Sequence, residues 1–388
     1  MYKIRTLNKI SPKGLSLFPL DNYEVSSEIS NPNAIVLRSY KMHDMELPLN
    51  LKAIARAGAG TNNIPIERCT QQGIVVFNTP GANANAVKEI VLASMLLASR
   101  GIVEGITWVQ SIKDKGDEVP KLVEKEKSNF AGNELKGKKL GLIGLGAIGA
   151  LVANSAVDLG MEVIGYDPYI SVDAAWRLSS KIKKATGLET LLKEVDYLSI
   201  HVPLMEKTKG FLNEEKFSMM KDGIKIINFA RGALVNNDDI KKALNSGKVS
   251  CYVTDFPEAE LLGVKGIIPI PHLGASTKES EENCAVMAVE QIKDFLENGN
   301  IKNSVNFPGC ELPRTTNTPR ITIANKNIPN MIGEITGVLA KNNINIIDMI
   351  NKSRGDIAYN IIDVENSLPK EVIESLNGIE GVIKVRVI

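Results

Sequence analysis

The chain is poor in the features that would place it outside the class of ordinary globular proteins. Four cysteines stand in 388 residues, at positions 69, 251, 284 and 310. They have neither metal-ligand spacing nor the density of a disulfide scaffold, and read as reduced thiols in a cytoplasmic protein. Net charge is almost absent: 46 Lys and Arg oppose 45 Asp and Glu, leaving +1. Such a balance gives no field to hold a nucleic acid or an anionic membrane, and short basic runs such as Lys181–Lys184 read as solvated faces. No stretch approaches the roughly 18 uninterrupted apolar residues of a membrane span. The opening Met1-Tyr-Lys-Ile-Arg-Thr lacks the apolar core and cleavage site of a secretory signal. Histidine is scarce too, with three in all, so each can be weighed singly.

What is present is a soluble composition, 44% apolar and 23% charged, in a chain long enough for two or three domains. One stretch organises it. Leu140–Ile143 is a short apolar run suited to a buried parallel strand. It stops at Gly144, and glycines follow at 144, 146 and 149, enclosing Ala147 and Ile148, before a helical pattern. In G-x-G-x-x-G the first glycine permits a tight turn and the second lets backbone approach a pyrophosphate. The third brings the helix against the sheet, and the free N–H groups of the helix start face the anion. A second apolar run, Met161–Tyr166, ends at Asp167, 18 residues beyond Gly149. An acid at that strand tip would hydrogen-bond a ribose diol. Asp167 would repel a 2′-phosphate, and Pro168-Tyr-Ile170 supply no cation for one, which favours NAD over NADP.

Taken in order, residues 1 to about 100 read as alternating strands and helices. Strands at Ala34–Leu37, Leu51–Ala57 and Gly73–Phe77 have tips bearing Arg38, Ser39, Gly58, Gly60 and Asn62, with Asn83 beyond. Ligands of open α/β sheets collect at such carboxyl ends. The glycines there are equally well turn residues, whereas Arg38-Ser39 could hold an anionic substrate. Residues 111–128 are charged and weakly patterned and read as an exposed connector. After the glycine-rich turn, further strands end at His201-Val-Pro203, at Ala230-Arg231-Gly232, at Asp255 and at His272, followed by one long helix over Thr277–Asn298. This is the pattern of a doubly wound parallel sheet. Pro308, Pro313 and Pro319, interleaved with Gly, Thr and Asn, mark a linker. From Arg320 the order βαββαβ predicts a ferredoxin-like unit, small enough to pair with another copy or with the main body.

Of the histidines, His43 lies in a loop-like stretch and His201 suits shaping a cofactor loop. His272 caps a strand on the ligand-binding edge, and the small residues after it leave room for a nicotinamide. Oxidising a secondary alcohol needs a base for the hydroxyl proton while hydride leaves, and an imidazole suits that task near neutral pH. Arg231 could hold a carboxylate and polarise the developing carbonyl. A carboxylate would orient the imidazole; Glu258 and Glu260 are the candidates.

Four motifs together carry a resemblance: the run Phe130–Gly149, His201-Val-Pro-Leu204, Asn228-Phe-Ala-Arg-Gly232 and Pro271-His-Leu-Gly-Ala-Ser276. They resemble the D-isomer-specific 2-hydroxyacid dehydrogenases, of the kind with a C-terminal ACT domain, over essentially the whole chain. The resemblance implies a discontinuous flavodoxin-like substrate domain (1–95 and 275–303) with an inserted Rossmann NAD domain (96–274). A linker (304–319) and an ACT domain (320–388) would complete it. It implies oxidation of 3-phosphoglycerate to 3-phosphohydroxypyruvate, which feeds L-serine synthesis. His272 would transfer the proton and Arg231 bind substrate, while Asp167, Val202, Pro203, Thr208, Ala230, Asp255 and Gly274 would contact NAD. The phosphate of a small 2-hydroxy acid would meet Arg38 and Ser39, with Gly60 and Asn83 close by. The family pattern D-V-F-x-x-E departs here to Asp255-Phe-Pro-Glu-Ala-Glu260, and counting five from Asp255 selects Glu260. A homo-oligomer, dimer or tetramer, is implied, as is L-serine binding near Asn345, although Asn325 replaces a frequent histidine. Neighbouring activities on glyoxylate, hydroxypyruvate or an erythronate phosphate stay open, as does a non-catalytic NADH-sensing scaffold.

Overall fold

The computed structural model describes residues 1–314 and 318–388. It divides into two units, Met1–Asn83 with Lys278–Ile388, and Ala84–Thr277.

In the first unit five parallel strands, β1 (Tyr2–Leu7), β2 (Tyr23–Ser26), β3 (Ala34–Leu37), β4 (Ala53–Arg56) and β5 (Val75–Phe77), take the order β2-β1-β3-β4-β5. That is the flavodoxin-like order anticipated above. The central strands are apolar throughout because both faces are covered. The Lys278–Asn298 helix lies on one face, burying Ala285, Ala288, Val289, Ile292 and Phe295 in the core with Val36, Ala55 and Phe77.

The second unit carries seven parallel strands: β6 (Lys139–Ile143), β7 (Glu162–Tyr166), β8 (Lys183–Lys184), β9 (Tyr197–Ile200), β10 (Ile224–Asn228), β11 (Val249–Thr254) and β12 (Ile267–Pro269). Their order, β12-β11-β10-β9-β6-β7-β8, is the doubly wound arrangement, and it reverses direction between β6 and β9. The Ala84–Ser99 helix belongs to this unit, since Val87, Val91, Met95 and Ala98 pack in its core beside Leu142 and Val152. The domain boundary expected at residue 95 therefore falls at Asn83/Ala84, because the apolar stripe of that helix matches this sheet. The expected connector at 111–128 is also more ordered than its composition suggests: helices span Ile102–Ser111 and Val119–Glu126 with no buried residue. Among the described residues no single helix is long and apolar enough to cross a membrane.

Within the first unit the C-terminal strands β13 (Arg320–Lys326), β14 (Ile346–Arg354), β15 (Ile357–Val364) and β16 (Val382–Val387) form an antiparallel sheet in the order β14-β15-β13-β16. With helices Met331–Lys341 and Lys370–Asn377 they complete the ferredoxin-like βαββαβ order. Ile321, Ile323, Ile362 and Val364 face those helices, whereas Ala324, Tyr359 and Ile361 join the core of the flavodoxin-like layer. The segment read as a linker is packed rather than free. Phe307, Cys310 and Leu312 are buried in that core, and the Asn306 side chain bonds Val76 N, Ile74 O and Thr70 Oγ1. Its prolines and polar residues hid three apolar anchors without regular spacing; residues 315–317 of the expected linker lie outside the described residues.

Arg320 fastens the seam. Fully buried, it pairs with Asp363 through Nε at 2.6 Å and Nη2 at 2.8 Å, and its Nη1 donates to Asn298 O and Leu312 O, both at 2.9 Å. The guanidinium thus satisfies the carbonyl of Asn298 at the end of the long helix and that of Leu312 in the packed segment after it.

Candidate active site

The nucleotide half is built at the reversal point of the seven-stranded sheet. Gly144 has φ +91°, and a Cβ there would stand 2.6 Å from His201 O; on Gly149 it would stand 2.0 Å from Gly144 O. Gly146 has open space at its Cβ position and is exposed with Ala147, while Gly149 is buried and Ile148 half-buried. The Ala147–Asp158 helix starts without a side-chain cap. Its first N–H groups are therefore available to an anion. Asp167 follows β7 and accepts from Leu145 N (2.8 Å) and Tyr169 N (2.9 Å), which pins the carboxylate beside the glycine turn.

Across the crevice, β9 leads to His201, Val202 and Pro203. Burial pushes the His201 imidazole down to about 4, and its Nε2 lies 2.9 Å from Ser199 Oγ. A neutral, hydrogen-bonded ring suits a shaping role. Thr208 closes the following loop, its hydroxyl donating to Pro203 O and accepting from Met205 N, both at 2.8 Å.

Three strand tips carry the reactive groups. Ala230 and Arg231 follow β10, Asp255 follows β11 and His272 follows β12. Asp255 is buried: Oδ2 accepts from Gly274 N at 2.8 Å, and Oδ1 has no partner among the described residues. Burial raises its pKa, while Gly274 N–H, His272 and Arg231 act in the opposite sense. His272 is held at φ +33°, a left-handed conformation that costs a non-glycine residue on the order of 1 kcal/mol. Its N–H reaches Asp255 O (3.1 Å) and Ile270 O (3.0 Å). The exposed imidazole lies against Phe256, ring centroids 5.0 Å apart.

Glu260 is not where the five-residue count put it. Its carboxylate accepts from Lys241 Nζ (2.7 Å) and Asn237 Nδ2 (2.8 Å). The shortened Asp255–Glu260 segment turns through Ala259–Leu261, directing Glu260 toward the Asn237–Asn245 helix. Glu258 also accepts from Asn237 (2.8 Å), but its other oxygen points toward Gly232, beside Phe256. Among the described residues neither glutamate hydrogen-bonds the His272 ring.

In the other unit, the tip of β3 forms a cationic corner. Asn8 Oδ1 accepts from Ser39 N (3.1 Å) and Tyr40 N (2.6 Å), and Arg38 O accepts from Arg56 Nε (3.0 Å) and Asn63 Nδ2 (3.2 Å). The Arg38 side chain, half-buried, contacts Glu281 Oε1 at 2.6 Å. Gly60 and Asn83 are half-buried in the same unit, on the loops after β4 and β5.

Sequence reading overlooked two bracing residues. Asn228 is fully buried, donating from Nδ2 to Arg231 O (2.9 Å) and accepting at Oδ1 from Ala230 N (3.1 Å). A lone amide ending an otherwise apolar strand was the available signal. Asn8, at φ +70°, was signalled only by its place after β1.

The residues present fit a dinucleotide on structural grounds: a glycine cradle open at Gly146, uncapped N–H groups, and a buried oxygen on Asp255 that lacks a donor. Comparison with known proteins agrees. Residues 92–280 match the family described as D-isomer specific 2-hydroxyacid dehydrogenase, NAD binding domain. A D-3-phosphoglycerate dehydrogenase of Haemophilus influenzae is 31% identical over 95% of this chain and 90% of its own length. One of Archaeoglobus fulgidus is 35% identical over 74% of this chain, which spans only 54% of that longer relative. A hydroxypyruvate reductase of Thermotoga maritima is 36% identical over 70% of this chain and 88% of its own. Among solved structures, NAD⁺-bound 3-phosphoglycerate dehydrogenase of Entamoeba histolytica is similar with TM-score 0.60 at 27% identity, covering 79% of this chain and 98% of its own. On these relatives the chain belongs to the D-isomer-specific 2-hydroxyacid dehydrogenases, and residues 92–280, which hold the crevice, are that family's NAD-binding domain.

Proposed function

We propose that the protein oxidises D-3-phosphoglycerate to 3-phosphohydroxypyruvate, the reaction that opens L-serine synthesis. The observation that carries this is the placement of Arg231, Asp255 and His272 after three adjacent strands, β10, β11 and β12, with the His272 N–H bonded to Asp255 O at 3.1 Å. The name of the Haemophilus influenzae relative, matched nearly end to end, supports the substrate. Arg231 holds the substrate carboxylate and draws electron density from the forming carbonyl. His272 takes the hydroxyl proton at its exposed imidazole. NAD⁺, when bound, accepts the hydride. Asp167 receives the ribose hydroxyls, Val202, Pro203, Thr208 and Ala230 line the nucleotide, and Asp255 Oδ1 accepts from an amide donor, with Gly274 giving it room. Arg38 and Ser39 take the phosphate, with Gly60 and Asn83 beside them. Glu258, rather than Glu260, braces the Arg231–Gly232 turn and Phe256 against His272.

We further propose that the chain acts as a homo-oligomer and that its C-terminal unit is an ACT domain that binds L-serine. Asn345 is exposed before β14, and a buried amide chain, Asn351 Nδ2 to Asn360 Oδ1 (2.7 Å) and Asn360 Nδ2 to Asn325 Oδ1 (2.8 Å), crosses the sheet.

The Thermotoga maritima relative favours a second reading, hydroxypyruvate reduction. A panel of 2-hydroxy and 2-oxo acids with NAD and NADP, with and without L-serine, tests both. Preferred turnover of 3-phosphoglycerate with NAD⁺ supports the first reading. Equal or better turnover of unphosphorylated acids, unaffected by Arg38→Ala, would replace it with the second.

A further inference from the structure

The Arg38 guanidinium is paired with Glu281, in the first turn of the Lys278–Asn298 helix, Nη1 to Oε1 at 2.6 Å. The neighbouring acid Glu282 is engaged elsewhere, with Lys13 at 3.1 Å and Lys278 at 3.9 Å. Among the described residues, Glu281 is the acid ion-paired with Arg38. The pair is partly open to water, the side chains 39% and 48% exposed, so either can swing aside. The backbone of the Arg38–Tyr40 corner does not depend on it. Asn8 holds the Ser39 and Tyr40 amides, while Arg56 and Asn63 hold Arg38 O.

From this arrangement we infer that Glu281 is a built-in competitor for Arg38 that a ligand's anionic end must displace. The inference rests on the assignment of Arg38 to the substrate phosphate and adds a specificity-determining residue to that site. A phosphate dianion forms stronger charge-assisted hydrogen bonds with a guanidinium than a single carboxylate does. It therefore takes Arg38, and Glu281 moves to solvent. A ligand with a neutral end cannot make the exchange and meets a closed ion pair. When phosphate leaves, Glu281 returns, so Arg38 is never left without an anion. Glu281 sets how much anionic character a ligand needs at this corner while leaving the reacting atoms alone.

The test is Glu281→Gln, with Glu281→Ala to exclude a new hydrogen bond from the amide, in the full chain. Both replace a half-exposed side chain, and melting curves check the fold. Calorimetric titration with inorganic phosphate at saturating NADH, which fills the anion site at the glycine turn, reports the corner without requiring turnover, and Arg38→Ala serves as the control that abolishes it. Exposed ion pairs are worth little, so phosphate affinity should rise about two- to fivefold in both Glu281 variants. KM for 3-phosphoglycerate should fall by the same factor, with kcat and the KM for D-glycerate unchanged. Unchanged or weakened phosphate binding in the variants, or binding that survives Arg38→Ala, overturns the inference. A KM for glycerate that falls in parallel overturns it too. Failure of the wild type to oxidise 3-phosphoglycerate would defeat the proposed substrate instead, and the calorimetric comparison would still decide the role of Glu281.

Discussion

The amide of Gly274 donates to Asp255 Oδ2 at 2.8 Å, and a Cβ on Gly274 would press to 2.9 Å of that same oxygen. The strand tip bearing His272 is thus drawn onto the buried carboxylate of the neighbouring strand, at a distance only glycine allows. The other carboxylate oxygen has no donor among the described residues.

That burial has a signed consequence for pH. Because burial raises the pKa of Asp255, the folded chain holds its proton to higher pH than the unfolded one, whose carboxyl titrates near 3.9. Stability from this group is fully present below the unfolded value and is lost as pH rises through the folded one. Asp255→Asn should therefore raise the melting midpoint at pH 7–8 and leave it nearly unchanged near pH 3. An equal shift at both pH values would show that charge burial is not the cause.

His272→Ala should lower kcat by about 10²- to 10⁴-fold, the usual weight of a general base. NADH affinity, followed by fluorescence titration, should hold, since the proposed nucleotide contacts at the glycine turn and Asp167 are untouched. Turnover near that of the wild type would remove His272 from the chemistry.

The two glutamates separate by substitution. Glu258→Gln should reduce kcat by up to about 10²-fold, the cost of misplacing a reacting group by about 1 Å, because its carboxylate lies beside the Arg231–Gly232 turn. Glu260→Gln, which only releases Lys241 and Asn237 at the surface, should leave steady-state kinetics unchanged. The reverse order of effects would restore the assignment made from spacing.

Arg320→Met should destabilise the chain by about 3–5 kcal/mol, because Asp363 would keep a buried charge with no counter-ion. Arg320→Met with Asp363→Leu should recover most of that loss in urea denaturation. A double variant as unstable as the single would show that the carbonyl contacts of Arg320, rather than its charge, hold the seam.

Sequence alone was enough for the strand, glycine turn and helix that open the NAD-binding domain. Glycine spacing, an apolar strand before it and an acid after the next strand are local features, and a parallel strand with both faces covered reads as an uninterrupted apolar run. The same locality made β3, β10 and the βαββαβ unit legible. Only tertiary structure decided where charges and irregular segments go. The side of a boundary on which the Ala84–Ser99 helix belongs depends on which sheet its apolar stripe matches. Phe307, Cys310 and Leu312 are anchors only because a core lies beneath them. Glu258, Glu260 and Glu281 are chemically alike in the sequence, and their donors, the Asn237 amide, Lys241 and the arginine at the end of β3, come from distant parts of the chain. A carboxylate's role follows from which donor the fold brings within about 3 Å, and no local pattern encodes that distance.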